Sequence, residues 1–401
     1  MRGNHDYIFG FLKSVCYAFG HLYGKREGIS PEALMEECLH DVEQAAYHPH
    51  KALNQAIAQH LMQGDLQENL DSCRRTCYER KLSRPQFNQM DTTEKQTLME
   101  SLAARYNMTF LDLHTFDRWG QSCTTGIFKK DGREFVFVPG DTVTLGWEQF
   151  AVGLNQESRE ELEYLFREWE MERDPEEMIR ESMAPVRQAA IGPMLVGREL
   201  EELCWESVKM DDPRLTAHPD WLKEFRDFAW SDSSSLTLHQ SARIERTEDG
   251  FQTWIYNRTD YDELLTGLEK QGLSLPTADE WAYLCGGGCQ TLFPWGDGLD
   301  YSMRLRWFED MDEDENRPYD MEEPNFFGLS IAYDPYMREV VQADRLTTCG
   351  GDGGCNICGG LGPFLGFLPC SPHCKPEVQE DKELNGDYDF YRPIIRVENH
   401  D

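Results

Sequence analysis

Leu275-Pro276-Thr277-Ala278-Asp279-Glu280-Trp281, followed by Phe293-Pro294-Trp295-Gly296-Asp297, is the stretch on which the reading of this chain turns. Thr277 is placed to cap a short helix. Glu280, three residues on, can close a capping box onto the Thr277 backbone N–H. Trp281 and Tyr283 then fall where a helix buries them against a sheet. Pro294-Trp295-Gly296-Asp297 makes a rigid aromatic turn.

Upstream, Glu134-Phe135-Val136-Phe137-Val138-Pro139-Gly140 is a β-rich run that stops at a Pro-Gly turn, and Thr142-Val143-Thr144-Leu145-Gly146 resumes it. Residues 157–183 are expected to form a very acidic amphipathic helix, an insertion with Leu162, Leu165, Phe166 and Trp169 on one face. Beyond Ile191, short strand-like pieces alternate with long Gly/Pro/Asp loops and no repeat of fixed period. Residues 1–105 read as a helical N-terminal region. Ser30-Pro31-Glu32 looks like a helix start, apolar stripes follow (Leu34, Cys38, Val42, Ala46; then Leu53, Ala56, Ile57, Leu61), and Asp91 and Glu94 have capping-box spacing. The fold class expected is α+β, irregular and loop-rich.

The two opening segments, in this order and spacing, resemble the signature of formylglycine-generating-enzyme (sulfatase-modifying-factor) domains. Phe135–Gly146 is similar to that family's opening hairpin. Asn325-Phe326-Phe327-Gly328-Leu329 resembles its "NxFGL" segment, Cys349-Gly350-Gly351-Asp352-Gly353 stands at its "RGGSW" position, and Tyr391–Val397 is similar to its closing strand. The resemblance spans residues 133–401. It implies a compact duplicated C-type-lectin-like fold, commonly with calcium, whose ligands would match Asn325, Gly328 through its carbonyl, and Glu339. An all-oxygen set suits that hard cation. The sequence departs from the family after Leu329, where Ser330–Tyr336 replaces the usual residues and Glu339 lies one place late.

Catalytic members oxidise a substrate cysteine with copper(I) held by two cysteines that have four residues between them. No pair here has that gap. Residues 349–374 nevertheless contain five cysteines and His373, with seven glycines before Pro363. Cys355 and Cys358, completed by Cys370 and Cys374 or His373, have a spacing that could form a tetrahedral zinc set. The same thiols could hold copper(I), form a redox-active disulfide, or be an unligated glycine loop. Cys285 and Cys289, around Gly286-Gly287-Gly288, read as buried thiols. Two functions stay open: a metal-dependent oxidase acting on a peptide or small-molecule thiol, with Cys355 and Cys358 as its catalytic thiols, or a non-catalytic lectin-like scaffold for a peptide, protein or glycan. The related ergothioneine sulfoxide synthases also carry a helical N-terminal domain, but their iron-binding histidine motif is absent; His40, His48, His50 and His60 do not match it.

Composition narrows the partners. Asp and Glu outnumber Lys and Arg 73 to 39, a formal charge of -34, which repels nucleic acid and anionic membranes and favours a cation or basic peptide. No run reaches the ~18–20 apolar residues of a membrane span. The start of the chain lacks a signal-peptide pattern, so a cytoplasmic protein is expected. Thirteen cysteines, an odd number, do not suggest a secreted disulfide framework. No GxSxG, P-loop or HExxH motif occurs. The acidic run Glu309–Asn316 lacks EF-hand spacing and reads as a solvated loop.

Overall fold

The computed structural model describes residues 82–306, 308 and 317–398, which lie within the compact unit Tyr78–Asp401. The expected helix start at Ser30, the two upstream apolar stripes, the four N-terminal histidines and the acidic run Glu309–Asn316 lie outside the described residues. Among the described residues, no helix is long and apolar enough to cross a membrane.

The class is α+β, with helices distributed around several mostly antiparallel sheets. The principal sheet has five strands in the order Thr109–Arg118, Gln121–Lys130, Arg133–Val138, Met194–Gly197, Ile394–Arg396, every pairing antiparallel. Phe135, Val136, Phe137 and Val138 are all 0% exposed. A central strand covered on both faces is apolar throughout, which is why the run in the sequence does not alternate. Asp91 caps the helix Thr92–Tyr106, and Glu94 closes the box as its spacing predicts. This helix lays Met99 and Leu102 in the core. Gly126 permits the approach, since a Cβ there would come within 2.6 Å of the Met99 sulfur.

Three expectations are revised. The first two strands, 109–130, were assigned to no element by sequence, and with the helix before them they belong to the same compact unit as the chain beyond Arg133. The run 135–146 is not a hairpin. After Pro139-Gly140 the chain leaves the principal sheet, and Asp141–Leu145 pairs instead with Arg187–Ile191. The acidic segment is two helices, Gln156–Glu168 and Pro175–Ser182. Glu170 adopts a positive φ of 49°, and Asp174-Pro175 starts the second helix with a capped proline turn.

A second five-stranded sheet runs Glu377–Val378, Thr347–Cys349, Arg338–Val341, Asp389–Tyr391, Glu201–Glu202, with one parallel pairing between Arg338–Val341 and Asp389–Tyr391. The segment after Tyr391 thus changes sheets across Arg392-Pro393. A third sheet of four strands, Trp205–Val208, Gly250–Tyr256, Ala242–Thr247 and Ser235–Leu238, forms a satellite with its own core of Leu215, Phe225, Phe228 and Ile244. The helix Ala278–Gly286 buries Trp281 and Tyr283, at 1% and 0% exposure, and has the expected Thr277–Glu280 capping box. Tyr283 donates its hydroxyl to the Pro139 carbonyl at 2.9 Å.

Candidate functional site

The residues matched to calcium ligands are buried near one another, but each is already engaged. The Asn325 amide donates to the Leu284 carbonyl (2.8 Å), and its oxygen accepts the N–H groups of Phe327 (2.9 Å) and Leu329 (3.2 Å). It is a buried turn cap. The Gly328 carbonyl accepts from Arg198 Nε at 3.0 Å. Glu339, 1% exposed, pairs with Arg392, 0% exposed, at 3.2 Å. Arg392 also donates to the carbonyls of Gly197 (2.7 Å), Arg198 (2.9 Å) and Ser330 (2.6 Å). One carboxylate and three carbonyls therefore converge on a guanidinium, and a second guanidinium takes the Gly328 carbonyl. This donor set does not fit calcium, because its charge and lone pairs are spent on fixed cations. Arg392 was read only as part of a closing strand. Nothing local in the sequence marks it, since its partner lies far back along the chain.

The cysteines are divided between surface and core. Cys355 and Cys358 occupy a four-residue helix and are exposed, whereas Cys285, Cys349 and Cys370 are buried, and none of the described cysteines forms a disulfide. Asn356 Nδ2 donates to the Leu365 carbonyl (2.8 Å), and Gly366 is small enough to admit Ile357. The inner face of the short turn is thus taken, and Cys355 and Cys358, three apart, share the outer one. Cys370 packs inward, its carbonyl facing the Cys285 sulfur at 3.9 Å. Burial pushes the thiols of Cys285, Cys349 and Cys370 well up, and that of Cys374 to about 12. Among the described residues no three His, Cys, Asp or Glu side chains are grouped to hold a metal ion. Cys355, Cys358, Cys370 and Cys374 are therefore not grouped as a tetrahedral zinc set.

A feature that the sequence reading did not find is an aromatic cleft of about 420 Å³, lined by Trp119, Gln121, Gly287, Cys289, Trp295 and their neighbours. Trp295 comes from the Phe293–Asp297 turn. It stacks on Phe293 (4.8 Å, 5° between planes) and donates Nε1 to the Gly298 carbonyl (3.0 Å). Asp297, 1% exposed, accepts the N–H groups of Val152 (2.6 Å), Gly153 (2.9 Å) and Leu292 (2.9 Å). The motif's carboxylate therefore pins the loop that forms one wall. Trp119 faces Trp295 with ring centres 5.5 Å apart and planes inclined by 56°.

Trp119 is held in an unusual way. Arg118 pairs with Gln121, leaving Trp119-Gly120 as a two-residue hairpin tip with φ of 53° and 72°. Such tips favour Asn, Asp or Gly at the first position, as Asp131-Gly132 has in the next hairpin. A tryptophan there stores roughly 1–3 kcal/mol of backbone strain. The Arg118 guanidinium lies 4.3 Å from its ring centre and bonds the Asp320 and Glu323 carbonyls, which ties the tip to the body of the fold.

The cleft floor is the glycine turn after the Trp281 helix. Gly287 has φ 59°, and a Cβ there would lie 2.5 Å from the Gln121 amide oxygen. Arg84 clamps this turn through the Gly287 carbonyl (3.1 Å) and Gln121 (3.0 Å). Beneath it, Cys289 Sγ is 3.8 Å from His373 Nε2, which is 3.0 Å from the Thr291 carbonyl. A carbonyl only accepts, so Nε2 carries the proton, and Nδ1 is buried without a partner. Burial lowers the imidazole to about 4 and raises the Cys289 thiol to about 12. Both are neutral at pH 7, so this pair lacks the thiolate and imidazolium of an activated nucleophile. The cleft offers aromatic faces, which are a means of binding. A second cleft, about 460 Å³, is lined by Glu199, Arg306, Glu322, Ser330, Tyr333 and Asp334. Comparison of the chain with models of known protein families gives no match, and comparison with curated proteins gives none either.

Proposed function

We propose that this chain is a binding module on a formylglycine-generating-type, C-type-lectin-like fold, and that the Trp119–Trp295 cleft receives a sugar ring of a glycan. The observation that carries the reading is Trp119 itself, a large aromatic kept at a hairpin tip where its backbone is strained and its ring faces a second tryptophan. Indole faces take up the apolar C–H face of a pyranose, and both Trp119 and Trp295 line the cleft beside Gln121 and Thr291. With a formal charge of -34, the chain favours neutral or amino sugars over sulfated or uronic ones. What supports the fold assignment is the Thr277–Glu280 capping box running into the Phe293–Asp297 turn that carries one wall of the cleft.

A metal-dependent oxidase needs ligands that converge, and the thiols of residues 349–374 are split between core and surface. Binding is therefore the reading adopted. The test is a glycan array probed with the full chain, followed by titration of its tryptophan fluorescence with the oligosaccharides retained. Trp119→Ala and Trp295→Ala are each expected to weaken binding at least tenfold. Retention of binding by both variants, or capture of basic peptides with no glycan bound, overturns the reading.

A further inference from the structure

The outward pair Cys355 and Cys358 has surroundings that no binding role explains. The two thiols sit on one face of a single helical turn, where Cβ atoms three residues apart lie about 5–6 Å from each other. A disulfide needs them at about 3.5–4.5 Å, so closing the bond requires only a tightening of that turn. Glycines flank the turn. It starts at Gly354 with φ 81° and is followed by Gly360 with φ 75°. Both thiols are exposed and reduced.

Two side chains attend them. The Tyr336 hydroxyl lies 3.1 Å from Cys358 Sγ, and the same ring abuts Gly354, where an added Cβ would be 2.3 Å from it. Tyr336 thus spans the turn from its first residue to its last thiol. Its bond to Cys358, with burial, pushes the phenol up to about 12, so at neutral pH it keeps its proton and can donate to a thiolate. At the other end, Asp352 accepts the Asn356 N–H through one oxygen (3.1 Å) and holds its other oxygen buried with no hydrogen-bond partner. Burial, and then the charge of that carboxylate, push the Cys355 thiol up, so Cys355 rests protonated.

We propose that Cys355 and Cys358 form a dithiol that exchanges with low-molecular-weight disulfides. In the first step the Cys358 thiolate, steadied by the Tyr336 hydroxyl, attacks one sulfur of RSSR. A mixed disulfide forms, and RS⁻ leaves to be protonated. In the second, Cys355 attacks the Cys358 sulfur and its proton passes to the second RS⁻ that the attack expels. The net change is protein dithiol plus RSSR to protein disulfide plus two RSH. Two electrons pass from the protein thiols to the small disulfide, and the two thiol protons end on the released thiols. None of this involves the aromatic cleft, so the two readings stand or fall separately.

The experiment uses the full chain, fully reduced, exposed to oxidised glutathione at fixed ratios to the reduced form. It is quenched by alkylation and mapped by mass spectrometry. The expected result is loss of two hydrogens, with Cys355 and Cys358 joined before any other thiol is consumed. Cys355→Ser should accumulate a stable glutathione adduct on Cys358. Tyr336→Phe should slow wild-type exchange about three- to tenfold, with the circular dichroism spectrum unchanged. Persistent adducts on both cysteines without an internal bond, a link between two chains, or earlier consumption of Cys204, Cys289 or Cys374 overturns the proposal.

Discussion

Arg392→Met tests the account of the buried core most directly. The methionine keeps much of the aliphatic stem and removes the guanidinium. Glu339, 1% exposed, is then a buried acid with no cation, and the Gly197 and Ser330 carbonyls lose donors at 2.7 Å and 2.6 Å. The Arg198 carbonyl still accepts from the Ser330 N–H at 3.0 Å, so it adds little to the cost. Breaking one side of such a pair costs about 3–5 kcal/mol. At roughly 1.5 °C per kcal/mol for a compact unit as large as Tyr78–Asp401, a Tm about 4–8 °C lower is expected. The companion variant Arg392→Met/Glu339→Leu removes both charges, and its loss should be no more than about 2 kcal/mol. Urea titration of wild type, both single variants and the double variant supplies the cycle. A single variant within 1 kcal/mol of wild type, or a double variant as weak as the two singles added, refutes the reasoning.

Three more outcomes are expected. Wild type should melt at the same temperature in calcium and in EDTA, whereas Arg392→Ala, which frees the Glu339 carboxylate and the carbonyls around it, should gain several degrees from millimolar calcium. His373 is lowered by burial to about 4, so as pH falls the unfolded chain takes up the proton first, near its ordinary 6.5. Its contribution is complete above that value and is lost as pH falls toward 4, roughly 3 kcal/mol in all, a slope that His373→Asn should lack in urea titrations at stepped pH. At the hairpin tip, Trp119→Gly should exceed Trp119→Ala in stability by about 1 kcal/mol, because alanine inherits the positive φ that glycine tolerates; equal midpoints would count against strain at Trp119.

The legible parts of this fold were those written in adjacent residues. The Thr277–Glu280 and Asp91–Glu94 boxes need only a three-residue spacing, and both form. The hairpins were harder. Asp131-Gly132 announces a turn, and reading it would have exposed the 121–130 strand, but Trp119-Gly120 carries no such signature because its first residue is there against local preference. Pro139-Gly140 reads as a turn in the sequence, but Gly140 forms a parallel bridge with Ser83, and whether the next strand pairs back or leaves the sheet is settled by residues 187–191, far along the chain. The site followed the same rule. Cysteine spacing located a cluster but could not say which thiols face inward, since Asn356 and Ile357 decide that by packing on residues 362–366. The cleft assembles its tryptophans from positions 119 and 295, and Glu339 meets Arg392 only through the parallel pairing of two short strands.

The order of strands in the principal sheet has a consequence for biosynthesis. Met194–Gly197 receives its last neighbour, Ile394–Arg396, only after everything between them has been translated. At about 5–20 residues per second, that delay is roughly 10–40 s. For that time a wholly buried strand keeps an open, apolar edge; Glu339, made later, waits about 3–11 s for its cation. The nascent chain therefore has a long window in which edge pairing with another copy competes with its own completion. Slowing translation past Gly197 should lower the yield of folded protein, and supplying a holding chaperone during that interval should restore it.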